Sequence, residues 1–251
     1  MRSLAPRGLL ALTWLEIKVF IREPLGVIGA VFVPVFVFVV IGRMMGDELA
    51  GEGERGLVGP DLAVFAALLI AISAVLSLVT IVAIYREGGI LKRLRATPLR
   101  PITILAAHVL VKLLFTAATL ALMLLLGKSY LPVDIPIPWL AFGAATLLST
   151  MSILALGFVL ASVAPTARFA QPIGTIVLYP MVGISGLFVP VEEMPGPMQF
   201  VAWLTPASYA VSLMRGAWQG DSWLSHGGDL LGLAVIAAVC TGLAIRWFRW
   251  E

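Results

Sequence analysis

Residues 62–84 read LAVFAALLIAISAVLSLVTIVAI, 23 consecutive positions without a charge. A helix gains 1.5 Å per residue, so this run is long enough to cross the roughly 30 Å hydrocarbon core of a bilayer, for which about 20 apolar residues suffice. The rest of the chain agrees. Of its 251 residues 60% are hydrophobic and only 12% charged, and the mean hydropathy is +1.02, where an ordinary soluble domain carries about a quarter charged residues.

Working outward from this run, apolar segments predict an all-α membrane protein of six transmembrane helices in a single domain spanning residues 1–251. The other five are Leu25 to Met45, Ile102 to Leu126, Trp139 to Ala164, Phe169 to Val189 and Leu230 to Phe248. Pro34 should kink the first, and Pro172 and Pro180 interrupt the fifth. Orientation follows from Lys and Arg, which hold short loops on the cytoplasmic side. Arg2, Arg7, Lys18, Arg22, Arg86, Lys92, Arg93, Arg95, Arg100, Arg168, Arg246 and Arg249 fall on one side, twelve of the seventeen basic residues. Arg43, Arg55, Lys128 and Arg215 fall on the other, among ten carboxylates. Both termini are therefore expected in the cytoplasm, with the chain in the plasma (cytoplasmic) membrane.

The net charge of +3 is mostly this asymmetry and implies no nucleic-acid surface. Cys240 is the only cysteine, which excludes a disulfide framework and a cysteine metal site, and two distant histidines argue against any metal site. The short run GLLALTWL near the N-terminus is followed by Glu16 and Lys18 and lacks a cleavage pattern, so it does not read as a secretory signal.

Between the spans, residues 9–23 (LLALTWLEIKVFIRE) place Leu12, Leu15, Val19 and Phe20 at three- and four-residue intervals, with Glu16 elsewhere and Trp14 as an interface aromatic. This predicts an amphipathic helix on the cytoplasmic membrane surface, separated from the first span by Pro24. Residues 46–60 read as an acidic, glycine-rich external loop. The segment 190–218 is apolar, but prolines at 190, 195, 197 and 206 and the pair Glu192 and Glu193 forbid one spanning helix. Two short helices, about 198–204 and 206–218, dipping into the outer leaflet would satisfy its backbone. No internal repeat is visible.

Several motifs bear on chemistry. GKS at Gly127 to Ser129 lacks the glycine that a phosphate-binding loop needs five residues before it, where Leu122 stands, so the chain has no nucleotide site of its own. GISG at Gly183 to Gly186 matches the G-x-S-G of rhomboid-type intramembrane serine proteases, with Ser185 and His226 as the alternative dyad. Such proteases set a spanning helix between serine and histidine, and here the proline-broken segment intervenes; small residues for close helix packing explain the same letters. Lys112 lies roughly 15 Å along the third helix from Pro101, one turn beyond His108 on the same face. It reads either as a substrate or partner contact in an inner cavity or as a cation that pairs with a neighbouring helix or snorkels.

The stretch after the uncharged run, YREGGILKRLRATPLRP at 85–101, contains five cations. A positive anchor needs only the charge. It does not need Gly88 and Gly89, an apolar side made of Ile90, Leu91 and Leu94, or the Thr97-Pro98 stop. A short two-faced helix between two spans can carry movement from a cytosolic partner whose carboxylates meet its arginines. The run Glu87, Gly89, Leu91, Arg93, Leu94, Arg95, Ala96, Thr97, Pro98, Leu99 and Pro101 resembles a segment of type-2 ABC exporter permeases, the membrane subunits of drug, lipid and polysaccharide exporters. Ser185 to Gly216 is similar to the external hairpin signature of the same family: Gly-aromatic-x-Pro, Met-Pro, Pro-x-x-Tyr and a closing Arg-Gly.

The resemblance implies a non-catalytic permease subunit that pairs with a second copy, as homo- or heterodimer, and with two cytosolic ATPases, which carry the ATP and Mg; this chain holds no cofactor. It implies that 9–23 is a connecting helix and 87–98 a coupling helix, with Glu87, Gly89, Ile90, Leu91, Arg93, Leu94, Arg95, Ala96, Thr97 and Pro98 at the ATPase interface. It further implies that 190–218 is an external re-entrant hairpin, gated by Gly186, Phe188, Pro190, Glu192, Pro195, Pro206, Tyr209 and Arg215. Tyr85 and Lys92 stand where many relatives are acidic, and Ile90 where threonine is frequent, so the interface should be more basic than usual. Nearly charge-free spans favour an amphipathic drug or lipid as cargo over a highly anionic sugar polymer, although contact with membrane lipid asks for the same apolar surface.

Overall fold

A computed structural model describes residues 5–22, 24–40, 58–89, 101–130 and 138–247. Among them there are nine α-helices and no strand: α1 (Ala5–Arg22), α2 (Pro24–Val27), α3 (Val58–Glu87), α4 (Pro101–Tyr130), α5 (Trp139–Val163), α6 (Ala167–Gly183), α7 (Gly196–Trp203), α8 (Pro206–Gln219) and α9 (Gly227–Trp247). Helices α3, α4, α5 and α9 each contain a stretch long and apolar enough to cross a membrane. With no water in hydrocarbon to satisfy a bare peptide group, such runs have no option but helix.

The two expected spans that carry prolines are interrupted among the described residues. After α2 the chain makes a π-helical turn, Ile28–Phe32, and continues helical to Val40, beyond which the first expected span leaves the described residues. The π turn is the form the Pro34 kink takes: proline brings no N–H to the preceding turn, and a widened turn absorbs the mismatch. Helix α6 contains Pro172 and Pro180 and stops at Gly183, so the expected extension to Val189 is corrected to a turn. Its 17 residues reach about 25 Å at 1.5 Å each.

Helix α3 is the centre of the bundle, packing on α4, α5, α6 and α8, while α5 packs on α3, α4, α8 and α9. The core is built from Leu68, Val75, Leu78 and Val79 of α3, Phe142, Ile153 and Leu154 of α5, Leu178 of α6 and Leu213 and Met214 of α8. Two crossings depend on glycine. A Cβ on Gly157 of α5 would meet Val75 Cγ1 at 2.8 Å, and one on Gly174 of α6 would meet Leu76 Cδ2 at 2.7 Å. Bare backbone lets these helices approach closely, and close approach is what holds helices together where lipid supplies no hydrophobic drive between them. Helix α9 packs on α5 and α8 and turns Leu231, Val235 and Val239 outward, where an acyl chain suits them.

Candidate functional site

Of the proposed coupling residues, Glu87 and Gly89 are described; Ile90, Leu91, Arg93, Leu94, Arg95, Ala96, Thr97 and Pro98 lie outside the described residues. Where the chain enters that stretch its geometry is definite. Helix α3 runs to Glu87, Gly88 N–H donates to Ile84 O at 2.9 Å, and Gly89 takes the left-handed φ of +65°. A side chain there would meet nothing in space, so the glycine answers a backbone need, the left-handed residue that ends a helix. One residue before Glu87, the Arg86 guanidinium donates to the carbonyl oxygens of Ala161, Ser162 and Ala164. These are last-turn and post-helix carbonyls of α5, which have no helical partner and carry the negative end of its dipole. Arg86 had read only as one of the orienting charges.

Beside this end of α3 lies a polar cluster of which His108 and Lys112 are half. Lys112 is 6% exposed; its Nζ donates to Ser77 Oγ at 2.6 Å and sits 4.3 Å from the centroid of the Phe20 ring. His108 Nδ1 is 3.4 Å from Glu16 Oε2, and Tyr85 OH donates to Glu16 Oε1 at 2.9 Å. The Tyr85 and His108 rings meet edge to face, 5.4 Å between centroids. Lys112 thus reaches a neighbouring helix through Ser77 and also lines a small cavity with Phe20 and Phe115.

Glu16 corrects the expected polarity of α1. It is 8% exposed, turned inward with Phe20, while Leu15 and Val19 of the expected apolar set face outward. Phe20 stacks on Phe115 of α4, 4.3 Å between centroids. The outward leucine and valine suit a helix whose surroundings are lipid, and the single inward carboxylate finds its partners on α3 and α4. Burial, the largest influence, raises the Glu16 carboxyl above its ordinary value, against the bond from Tyr85 and the nearby Lys112, which lower it.

At the opposite end of α3 the segment after α6 folds as the predicted pair of short helices, at slightly different limits, Gly196–Trp203 and Pro206–Gln219. Gly186 has φ +87°, and a Cβ there would also press on Val191 Cγ2 at 3.0 Å. Phe188, 65% exposed, meets Phe65 of α3 edge-on, 6.1 Å between centroids. Pro190 opens a 3-10 turn, Val191–Glu193, and Pro195 O caps α7 by accepting from Met198 N–H at 2.8 Å. Gln199 Nε2 donates to Glu192 O and Met194 O, tying the turn to α7. The end of α7 is closed by Thr205 and Ser208, whose hydroxyls both donate to Ala202 O. Pro206 stands in the first turn of α8, where its missing N–H costs nothing. Tyr209 lies between Trp203 and Gly232 of α9, and Arg215 Nη2 reaches back to Gly186 O and Leu187 O, each 3.5 Å.

The two short helices differ. Helix α8 is inside the bundle, with Ala207, Ala210, Val211, Leu213 and Met214 buried and Trp218 edge-on to Phe142. Helix α7 shows Met198, Phe200 and Val201 outward. Exposure thus distinguishes α7, with its outward apolar side chains, from α8, which packs on α3, α5 and α9.

Ser185 and His226 both line a cavity of about 200 Å³ beneath this hairpin, and they do not form a dyad. Ser185 Oγ donates to Val182 O at 2.7 Å, the usual return bond of a serine at a helix end. His226 Nδ1 is 2.9 Å from Asp229 Oδ2 and Nε2 is 3.4 Å from Asp221 Oδ2, so both ring nitrogens are taken. Ser185 should therefore stay unlabelled by a serine-directed phosphonate, checked by intact-protein mass spectrometry.

A family model described as ABC-2 type transporter matches residues 7–218. No curated protein matches the chain.

Proposed function

Because this chain belongs to the ABC-2 type transporter family, a multi-pass permease component that associates with ABC ATPases, we propose that it is the permease half of an ATP-driven exporter, working with a second permease copy and two cytosolic ATPases. The observation that carries the reading is the extent of the family match, residues 7–218, which takes in both the coupling stretch and the hairpin. Six spans, both termini cytoplasmic, complete the proposed topology. The chain does no covalent chemistry: ATP closes the two ATPases, segment 87–98 moves with them, and the paired permeases switch from inward or lateral to outward access. An amphipathic drug, lipid or glycoconjugate is the proposed cargo.

Two features support the roles. The coupling segment leaves α3 next to Arg86 and Tyr85, side chains that reach α5 and α1, so a pull on it acts on three helices together. Helix α6 carries Arg168, Gln171 and Thr175 at three- and four-residue steps along a mostly outward face, beside an open cleft of about 660 Å³. Of these, Gln171 and Thr175 fall within the expected span, and polar groups at membrane depth call for a polar or protein neighbour, which a second permease copy supplies.

Arg93→Glu combined with Leu94→Asp tests the reading. It should leave membrane insertion intact and abolish co-purification with the partner ATPase, because the variant reverses one charge and breaks the apolar side of the segment. Undiminished co-purification would remove the coupling role.

A further inference from the structure

Asp221, His226 and Asp229 stand apart from everything the permease reading uses. Helix α8 ends at Gln219, Asp221 follows in the turn, and His226 caps the start of α9, its carbonyl accepting from Leu230 N–H at 3.0 Å. Asp229 lies in the first turn of α9, where the positive end of the helix dipole favours a carboxylate. Ser212 of α8 donates to Asp229 Oδ2 at 2.7 Å. The imidazole rests on Gly216 of α8, in the space a Cβ there would fill. One ring therefore touches α8, the turn and α9.

A neutral imidazole has one N–H donor and one bare acceptor nitrogen, whereas a carboxylate only accepts. Both His226 contacts, 2.9 Å to Asp229 and 3.4 Å to Asp221, are hydrogen bonds at once only when the ring carries its second proton. Without that proton one nitrogen sets its lone pair against a carboxylate. The contact to lose is Asp221: it is longer, and its side chain is 51% exposed, against 14% for Asp229, which Ser212 also holds. The other charged side chains around the same cavity, Arg215 and Glu192, are of opposite sign.

We infer that His226 is a proton-binding site that clasps the α8–α9 turn onto the start of α9 when doubly protonated and releases Asp221 when neutral. Burial alone lowers the affinity of the ring for its proton, and the bonds and charges of Asp229 and Asp221 outweigh it, so the folded value lies above the ordinary 6.5. The sign follows. A raised value means the clasp is fully made below about 6.5 and is lost as pH rises through the higher folded value. The clasp does not rest on the permease reading.

The chain has just two histidines, so ring-labelled full-length protein in nanodiscs gives two Cε1 resonances, and His226→Gln identifies one by removing it. The His226 signal should titrate with a midpoint above 6.5, and Asp221→Asn and Asp229→Asn should each lower it, by roughly one unit for the loss of a neighbouring charge. Hydrogen exchange across 220–225, corrected for its intrinsic pH dependence, should be several-fold faster at pH 8.5 than at pH 6 in the parent protein and independent of pH in His226→Gln. A midpoint at or below 6.5, or exchange in the parent that does not change between the two pH values, overturns the proposal. The exchange measurement on the parent keeps the test decisive if a variant fails to fold.

Discussion

Arg86→Ala should lower the stability of the bundle by about 2–4 kcal/mol, since a hydrogen bond to a charged group contributes about 1.5–3 kcal/mol and its loss strands acceptors. Three carbonyls at and beyond the end of α5 depend on this guanidinium. Water replaces a lost donor cheaply at an exposed helix end; here Ala161 and Ala164 are buried, so it cannot do so fully. Arg86→Lys should recover only part of the loss, because an ammonium is a point donor and cannot span several carbonyls as a planar fork does. Thermal unfolding of the three proteins in one lipid composition checks the order parent, lysine, alanine. An alanine variant equal to the parent would mean that α5 ends without help from α3. In the complex proposed above, Arg86→Ala should also uncouple ATP hydrolysis from transport.

Gly157→Val should destabilise by about 1–3 kcal/mol or more, the range for forcing extra atoms into a packed core. Two β-branched side chains would then face each other at the α3–α5 crossing, where a single Cβ is already too near Val75. The helices would have to separate, and Ser152, whose Oγ donates to Leu233 O at 2.9 Å, would lose its register with α9. Combining Gly157→Ala with Val75→Ala returns the missing space, so this double variant should unfold at nearly the parent temperature while Gly157→Ala alone falls below it. Equal losses in the single and double variants would place the cost in the helix backbone rather than at the crossing.

The helices were legible in the sequence because lipid leaves a long apolar run one way to satisfy its peptide groups. The hairpin was legible from prolines at 190, 195, 197 and 206. What the letters withheld is which side of each helix faces inward. Helices α3, α4 and α5 are apolar nearly all round, and periodicity cannot choose a face where lipid and core have the same chemistry. The reversal of α1 has that origin: an interfacial helix can bury its carboxylate if its partners are there, and Tyr85 and His108 come from positions 69 and 92 residues further along. His108 and Lys112 were found by their oddity within a span. Arg86 reads in the sequence only as an orienting charge and His226 only as half of an alternative dyad, because a lone charge at a helix end, or a histidine in a turn, has no pattern until the carbonyls or carboxylates that meet it are known.

Gly88 and Gly89 at the end of α3 set the mechanics of whatever is attached there. With no side chain to oppose rotation about φ and ψ, such a joint can act as a swivel that passes tension along its line better than torque. If the segment beyond it is driven by a motor, the permease receives a tug more than a twist. The direction of that tug is then set by Arg86, which anchors the last rigid turn before the swivel to the neighbouring helix.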